Sequence, residues 1–212
     1  MKQISLFLIC LFLSLNAIAI CPKQDIKIVF KKKYGKVNYN FNLSRKEFAQ
    51  YSPTPLPRNV RGLTIGQLDV SYQAKGAVFP YQKAYCAGVT EIDFYIGYDD
   101  FKVFIDKRYK RNTCEHIAVK EHEDEHVIIF NEGLKFFAPD VQKAIKKAVK
   151  NLRPETVYSE ARAQQVFDKQ AKAVLKDIQP LLKHVNKKIR EKQALIDTDA
   201  SYLKVQKKCR HW

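Results

Sequence analysis

Past residue 19 the sequence has no apolar run long enough to cross a bilayer, so no later segment reads as a membrane span. It is poor in acids, with 22 Asp and Glu against 38 Lys and Arg, a formal charge of +16. It has no Cys-x-x-Cys pair, which excludes a thioredoxin-like redox motif and a zinc knuckle. It has no helix-turn-helix, aromatic RNA-binding motif or zinc finger, so the positive charge does not by itself indicate nucleic acid. Internal repeats and low-complexity tails are absent too. What the charge implies is weak, salt-sensitive attraction to anionic polymers or membrane faces. Lysine runs such as Lys31-Lys32-Lys33 and Lys187-Lys188 read as solvated faces.

The long apolar run that is there comes first. Lys2 precedes an apolar stretch over 4–15, and Asn16-Ala17-Ile18-Ala19 puts small residues where a signal peptidase reads. Residues 1–19 are therefore expected to be a signal peptide, with a mature chain from Ile20 and a secreted or periplasmic location. An uncut anchor and a lipidated Cys21 are the alternatives, but Ile20 stands where a lipobox needs a small residue. Cys10 leaves with the signal. Cys21, Cys86, Cys114 and Cys209 remain, an even number that suits disulfides in an oxidising compartment. Cys86 and Cys114 flank an apparent hairpin, so they are expected to pair, leaving Cys21 with Cys209.

The first half reads as strands. Residues 26–30 form an apolar run. Val37, Tyr39, Phe41 and Leu43 alternate with asparagines at the period of a half-buried strand. Ser44 to Glu47 is a capping-box pattern, and the prolines of 52–57 force an extended loop. A strand is expected over 63–72 with a bulge at Gly66, and a β-hairpin over 90–106 turning at Gly97-Tyr98-Asp99-Asp100. The second half reads as helices. One starts near Thr113 and runs to about 136, where Pro139 stops it; a second covers 141–152; a third opens at Pro154 and kinks or breaks at Pro180. The class is α+β, a strand-rich N-terminal half followed by a helical C-terminal half.

The helix from Thr113 carries His122-Glu123-Asp124-Glu125-His126. Histidines four apart share a helix face, so both rings can ligate one Zn²⁺. The glutamate after the first histidine stands beside that metal, where it can take a proton from water. Thus His122 and His126 are candidate ligands and Glu123 the candidate base. Three fixed positions make a short motif, but a helix that otherwise buries Val119 and Ile129 would not leave two histidines idle on that stripe. His116, six residues earlier, is off this face and reads as surface. An oxyanion stabiliser cannot be chosen among His116, His184, His211 and the tyrosines.

These residues resemble the active-site helix of zincin metallopeptidases. Residues 109–126, with Cys114 before the helix, are similar to bacterial secreted proteins described as predicted zinc-dependent proteases. The resemblance implies a zincin-like fold with an edge strand over the cleft, and a zinc cofactor. Ile129 and Glu132 stand where a metzincin has Gly and His, so the third ligand must come from further on, as in glutamate zincins. Of Glu155 and Glu160, Glu160 lies in the series Glu160, Gln164, Phe167, Ala171, Val174, Ile178, whose spacing marks one buried face, so Glu160 is the expected ligand. The division expected is a signal over 1–19, a zincin-like metallopeptidase domain over 20–178 and a basic helical extension over 179–212. The function expected is a secreted zinc hydrolase acting on peptide or protein substrates, with weak affinity for anionic envelope polymers. The alternative is a non-catalytic basic envelope-binding protein whose metal site is structural or vestigial.

Overall fold

The computed structural model describes residues 20–212. The signal-peptide expectation for 1–19 lies outside the described residues. Strands β1 (Lys27–Lys33), β2 (Lys36–Asn40), β3 (Gly62–Gly66), β4 (Asp69–Tyr81), β5 (Ala84–Gly97) and β6 (Asp100–Ile105) precede the long helix α2 (Cys114–Lys150). A short helix α1 (Arg45–Phe48) sits among them, held by the expected capping box between Ser44 and Glu47. After α2 come strand β7 (Glu155–Val157), helix α3 (Glu160–Ile196) and helix α4 (Asp199–Lys207). The α+β class and its division into a strand-rich and a helical half are as expected.

The strands form two sheets, one ordered β1-β5-β4 with β7 also on β5, the other β2-β6-β3. β1 lies parallel to β5 and β2 parallel to β6, while β4 and β3 run antiparallel to them. Three segments, 27–40, 62–81 and 84–105, thus each pass once from one sheet to the other, and they do so side by side. This corrects two expectations. Residues 90–106 are not a hairpin, because β5 and β6 lie in different sheets; the turn residues at 97–99 mark the crossing, where the Tyr98 amide donates to the Lys33 carbonyl at 3.0 Å. The hairpin is β4–β5, turning at Gln82, whose φ is 54°. Nor do 63–72 form one strand bulged at Gly66: β3 ends there, and the irregularity falls between Lys75 and Gly76.

The cysteine pairing follows this topology. Without a hairpin between them, Cys86 and Cys114 do not meet. Cys21 pairs with Cys86 and Cys114 with Cys209, at Cα separations of 5.7 and 5.8 Å. All four expected cysteines are therefore bridged, but in a different connectivity from the expected one. Two disulfides fit an oxidising compartment, and no helix among the described residues is long and apolar enough to cross a membrane.

Both long helices outrun their prolines. α2 passes Pro139 and α3 passes Pro180, each helix being 37 residues long. The proline rings and the residues four earlier, Lys135 and Lys176, all face solvent, so water can satisfy the carbonyls that lose their amide partners. Pro154 does not open α3 either; β7 intervenes, and Ser159 is the N-cap. The boundary drawn at 178/179 falls inside α3. α2 and α3 pack antiparallel and approach closely at Gly133, where an added Cβ would stand 2.6 Å from Ile189 Cγ1. Their inner faces and β5 share one core that includes Ile92, Phe94, Ile96, Leu134, Ile145, Ile178 and Ile189.

Candidate metal centre

A helix repeat of about 100° per residue brings positions four apart onto one face. His122 and His126 therefore project together from the buried side of α2, with ring centroids 5.0 Å apart. The third group comes from the end of α3. Asp197, its C-cap, puts Oδ1 3.4 Å from His122 Nε2 and 3.1 Å from His126 Nε2. Among the described residues His122, His126 and Asp197 form a cluster that could hold a metal ion. The edge of a tetrahedron of bonds about 2.1 Å long is about 3.4 Å, so Asp197 stands at ligand spacing from each histidine.

The hydrogen bonds argue for a cation between them. Gln193 donates its Nε2 to the His126 carbonyl at 2.9 Å, which turns its Oε1 toward His126 Nδ1. Nδ1 must then carry the ring proton and donate it. In the neutral ring Nε2 is left with a bare lone pair aimed at a carboxylate oxygen. Two acceptors in contact need a positive charge, either a second proton or a metal. The Tyr202 hydroxyl donates to the same Oδ1 at 2.6 Å, and its ring leans over His122 with centroids 5.2 Å apart. Gln193 and Tyr202 thus fix the orientation of His126 and Asp197 in the way that partners of metal ligands do.

Electrostatics follow. Burial works to raise the Asp197 carboxyl, but the bonds from His122 and His126 outweigh it and hold Asp197 well below the usual range. Burial works to lower His126, but Asp197 and the Glu123 charge outweigh it and raise the imidazole. Glu123 is 3% exposed, and burial pushes its carboxyl up against the pull of both histidines. Thr64, on β3, donates its hydroxyl to Glu123 Oε2 at 2.8 Å. Gly62 makes room on the same strand, since an added Cβ would stand 2.5 Å from Glu123 Oε1. A carboxylate with a raised pKa, steered by one hydroxyl beside the histidine pair, is placed to take a proton from water.

The two sides of the centre differ. Gly62, Glu123 and Tyr202 line both a void of about 10 Å³, walled also by Val119, His122 and Trp212, and a cleft of about 350 Å³. The void has room for about one water molecule. The cleft is lined by Leu56, Pro57, Val60, Leu63 and Phe130 and opens onto Glu123, His126 and Asp197. β3, an edge strand of its sheet, forms one wall.

His122, Glu123 and His126 thus lie together as expected from sequence. Glu160 does not join them. It is exposed in the first turn of α3, beside Tyr85 and Tyr158, while Asp197 caps the other end of that helix. A helix of that length spans about 55 Å, far beyond any side chain's reach. Glu155 pairs with Lys169 at 2.7 Å. His116 is buried, not surface: its Nδ1 bonds the Tyr109 carbonyl at 3.3 Å, and its ring meets Phe41 edge-on. Asp197, Gln193, Tyr202 and Thr64 were missed. For the first two a signal existed. The buried series Val185, Ile189 continues at the same spacing to Gln193 and Asp197, provided the helix is carried through Pro180.

Compared with protein-family models, with curated proteins and with solved structures, the chain finds no match.

Proposed function

We propose that this chain is an exported zinc-dependent hydrolase that cleaves peptide bonds. One observation carries the reading: two imidazole nitrogens and a carboxylate oxygen converge beside a buried glutamate that lines a cleft. His122, His126 and Asp197 fit zinc as two nitrogen donors and one oxygen donor at the right spacing. Zinc held there would supply Lewis-acid activation of water and of a carbonyl. The remaining work belongs to the chain. Glu123 accepts the proton of the attacking water and returns it to the leaving amine, its raised pKa bringing it toward neutral. Thr64 holds one Glu123 oxygen and leaves the other free. The edge of β3 offers backbone groups to an extended peptide, and Leu56, Leu63 and Phe130 offer apolar surface to its side chains. Export rests on the N-terminal segment and is supported by the two disulfides.

A second reading, a closed metal site in a binding protein, is favoured by Tyr202, whose hydroxyl stands close enough to Asp197 to occupy a fourth position. Glu123→Gln separates the two. On the enzyme reading the zinc-loaded variant keeps wild-type metal content and melting temperature and loses at least about a hundredfold in hydrolysis of a quenched peptide library. A zinc-loaded wild type that cleaves nothing in that library leaves the binding reading in its place.

A further inference from the structure

The cleft beside Glu123 has two walls that are fixed by the rest of the chain. One is Phe130. It lies four residues beyond His126, so its ring stands about one helical turn, about 5.4 Å, along α2 from that candidate ligand. The ring is held from behind. It packs on Tyr98 and Phe101 at centroid separations of 5.3 and 5.5 Å, and an added Cβ on Gly66 would stand 3.0 Å from Phe130 Cε2. The other wall is the segment 52–57. It is neither strand nor helix, yet Arg45 of α1 pins it, donating Nη2 to the carbonyls of Leu56 at 2.7 Å and Pro57 at 2.8 Å. Pro53, Pro55 and Pro57 stiffen it further, and Ser52 Oγ donates to the Thr54 carbonyl at 2.6 Å.

The charge of these walls is as restrictive as their shape. No lysine or arginine lines the cleft, and its acids are Glu123 and Asp197, both committed to the candidate centre. Arg45 is not among the lining residues, and Arg61 lines the small void instead. A charged side chain entering the cleft would give up water and find no partner of opposite sign outside the candidate centre. An apolar side chain would meet Leu56, Pro57, Val60, Leu63 and Phe130. The volume of about 350 Å³ takes the whole side chain of a leucine or phenylalanine.

An extended peptide along β3 would rise about 3.3 Å per residue, with side chains turned to alternate faces. With its scissile carbonyl at the candidate ligands, the side chain that meets Phe130, one helical turn away, belongs to a residue flanking the scissile bond. We propose that the cleft selects peptides with a large uncharged apolar residue, such as leucine or phenylalanine, at that flanking position. Phe130 and Leu56 are the specificity-determining residues. This rests on the hydrolase reading above, which supplies the scissile bond.

The experiment uses the zinc-loaded, disulfide-bonded protein and quenched peptides identical except at one residue, which is set in turn to Leu, Phe, Ala, Glu or Lys at each position. Cleavage is expected beside Leu or Phe. Alanine at that position should lower kcat/KM about thirtyfold, for the loss of three or more buried carbons, and Glu or Lys at least about a hundredfold. Leu56→Ala should reduce the preference for Leu over Ala, and Leu56→Arg should raise the ratio of Glu to Lys cleavage at least about tenfold. Leu56 is only half-buried, so both variants should fold, and melting temperature checks this. A Glu to Lys ratio unmoved by Leu56→Arg overturns the assignment of this wall. A parallel calorimetric titration of zinc-loaded Glu123→Gln with the same peptides, unquenched, should show Leu binding about tenfold tighter than Ala. That binding preference without any cleavage by the wild type would sink the hydrolase reading and leave the pocket standing. Cleavage with no preference at any position would keep the hydrolase reading and overturn the pocket, and neither binding nor cleavage would overturn both.

Discussion

His122 and His126 are four residues apart on one helix, whereas Asp197 reaches them from 71 residues beyond His126. The first two donors are a local fact. Once α2 forms, their relative placement is set by the helical repeat and by burial among Val119, Val127 and Leu134. The third donor is a tertiary fact. It depends on α3 remaining unbroken through Pro180, on α2 and α3 packing tightly at Gly133, and on the last residues of the chain folding back. Those residues, from Asp197 on, act as a strap. Asn59 Nδ2 donates to Asp199 Oδ1 at 2.9 Å, Lys208 pairs with Glu121 at 2.7 Å, and the Cys114–Cys209 bridge ties the strap to the first turn of α2. In a site assembled in this way, changes far from the metal can loosen the tertiary half and leave the local half in place.

The sharpest way to break the contrast is to remove one donor from each half. His126→Ala and Asp197→Ala are each expected to weaken zinc binding on the order of a hundredfold to a thousandfold, measured by competition with a chelating dye. Equal losses would show that the distant donor is as firmly placed as the local one. A much smaller loss for Asp197→Ala would mean that the strap only covers the site. Next in size is the bridge. Cys114→Ser with Cys209→Ser opens a 95-residue loop, worth about 4–5 kcal/mol in urea unfolding. It is expected to weaken zinc about thirtyfold by loosening Asp197 and Tyr202. The Cys21–Cys86 pair of substitutions should lower stability without that loss of zinc, because that bridge touches neither half of the site.

Acidity gives a smaller, graded effect. His126 holds its proton above its ordinary value of 6.5, since Asp197 and Glu123 outweigh burial. Zinc must displace that proton, so affinity is expected to rise about tenfold per pH unit up to the raised value and to level off above it. In metal-free protein the sign reverses: the stability conferred by the raised imidazole is complete below 6.5 and is lost as pH climbs through the raised value. Melting curves with and without zinc should therefore diverge as pH increases. The smallest effect belongs to Glu160→Ala, at the far end of α3, which is expected to leave zinc affinity within about twofold.

The same contrast explains what could be read from the sequence. The histidine pair and Glu123 were legible because their geometry is written in short spacings along one helix. The capping box at Ser44 and Glu47 was legible for the same reason. Strand positions were partly legible, since Ile92, Phe94 and Ile96 alternate wherever their strand goes. Which sheet each strand joins was not, because the residues at 97–99 serve a hairpin turn and a crossing between sheets equally well. The cysteine connectivity was lost with that hairpin. The prolines misled because their cost depends on exposure of the freed carbonyl, and exposure is a property of the packed molecule. Two helices broken at Pro139 and Pro180 cannot bring residue 197 to residue 126, and so a glutamate at the wrong end of α3 took the place of Asp197.

The two disulfides do not overlap along the chain: one spans 21–86 and the other 114–209. Covalently the described molecule is two closed rings joined by the thread 87–113, and every candidate ligand sits in the second ring. A protease nick between α2 and α3, near 151–154, would open that ring without releasing either piece, so the histidines and the aspartate would remain tethered. Such a nicked chain would run as two fragments on a reducing gel and as one species without reductant. A nick in the thread would instead leave two ring-shaped halves held only by their packing and hydrogen bonds, with Thr64 in one and Glu123 in the other.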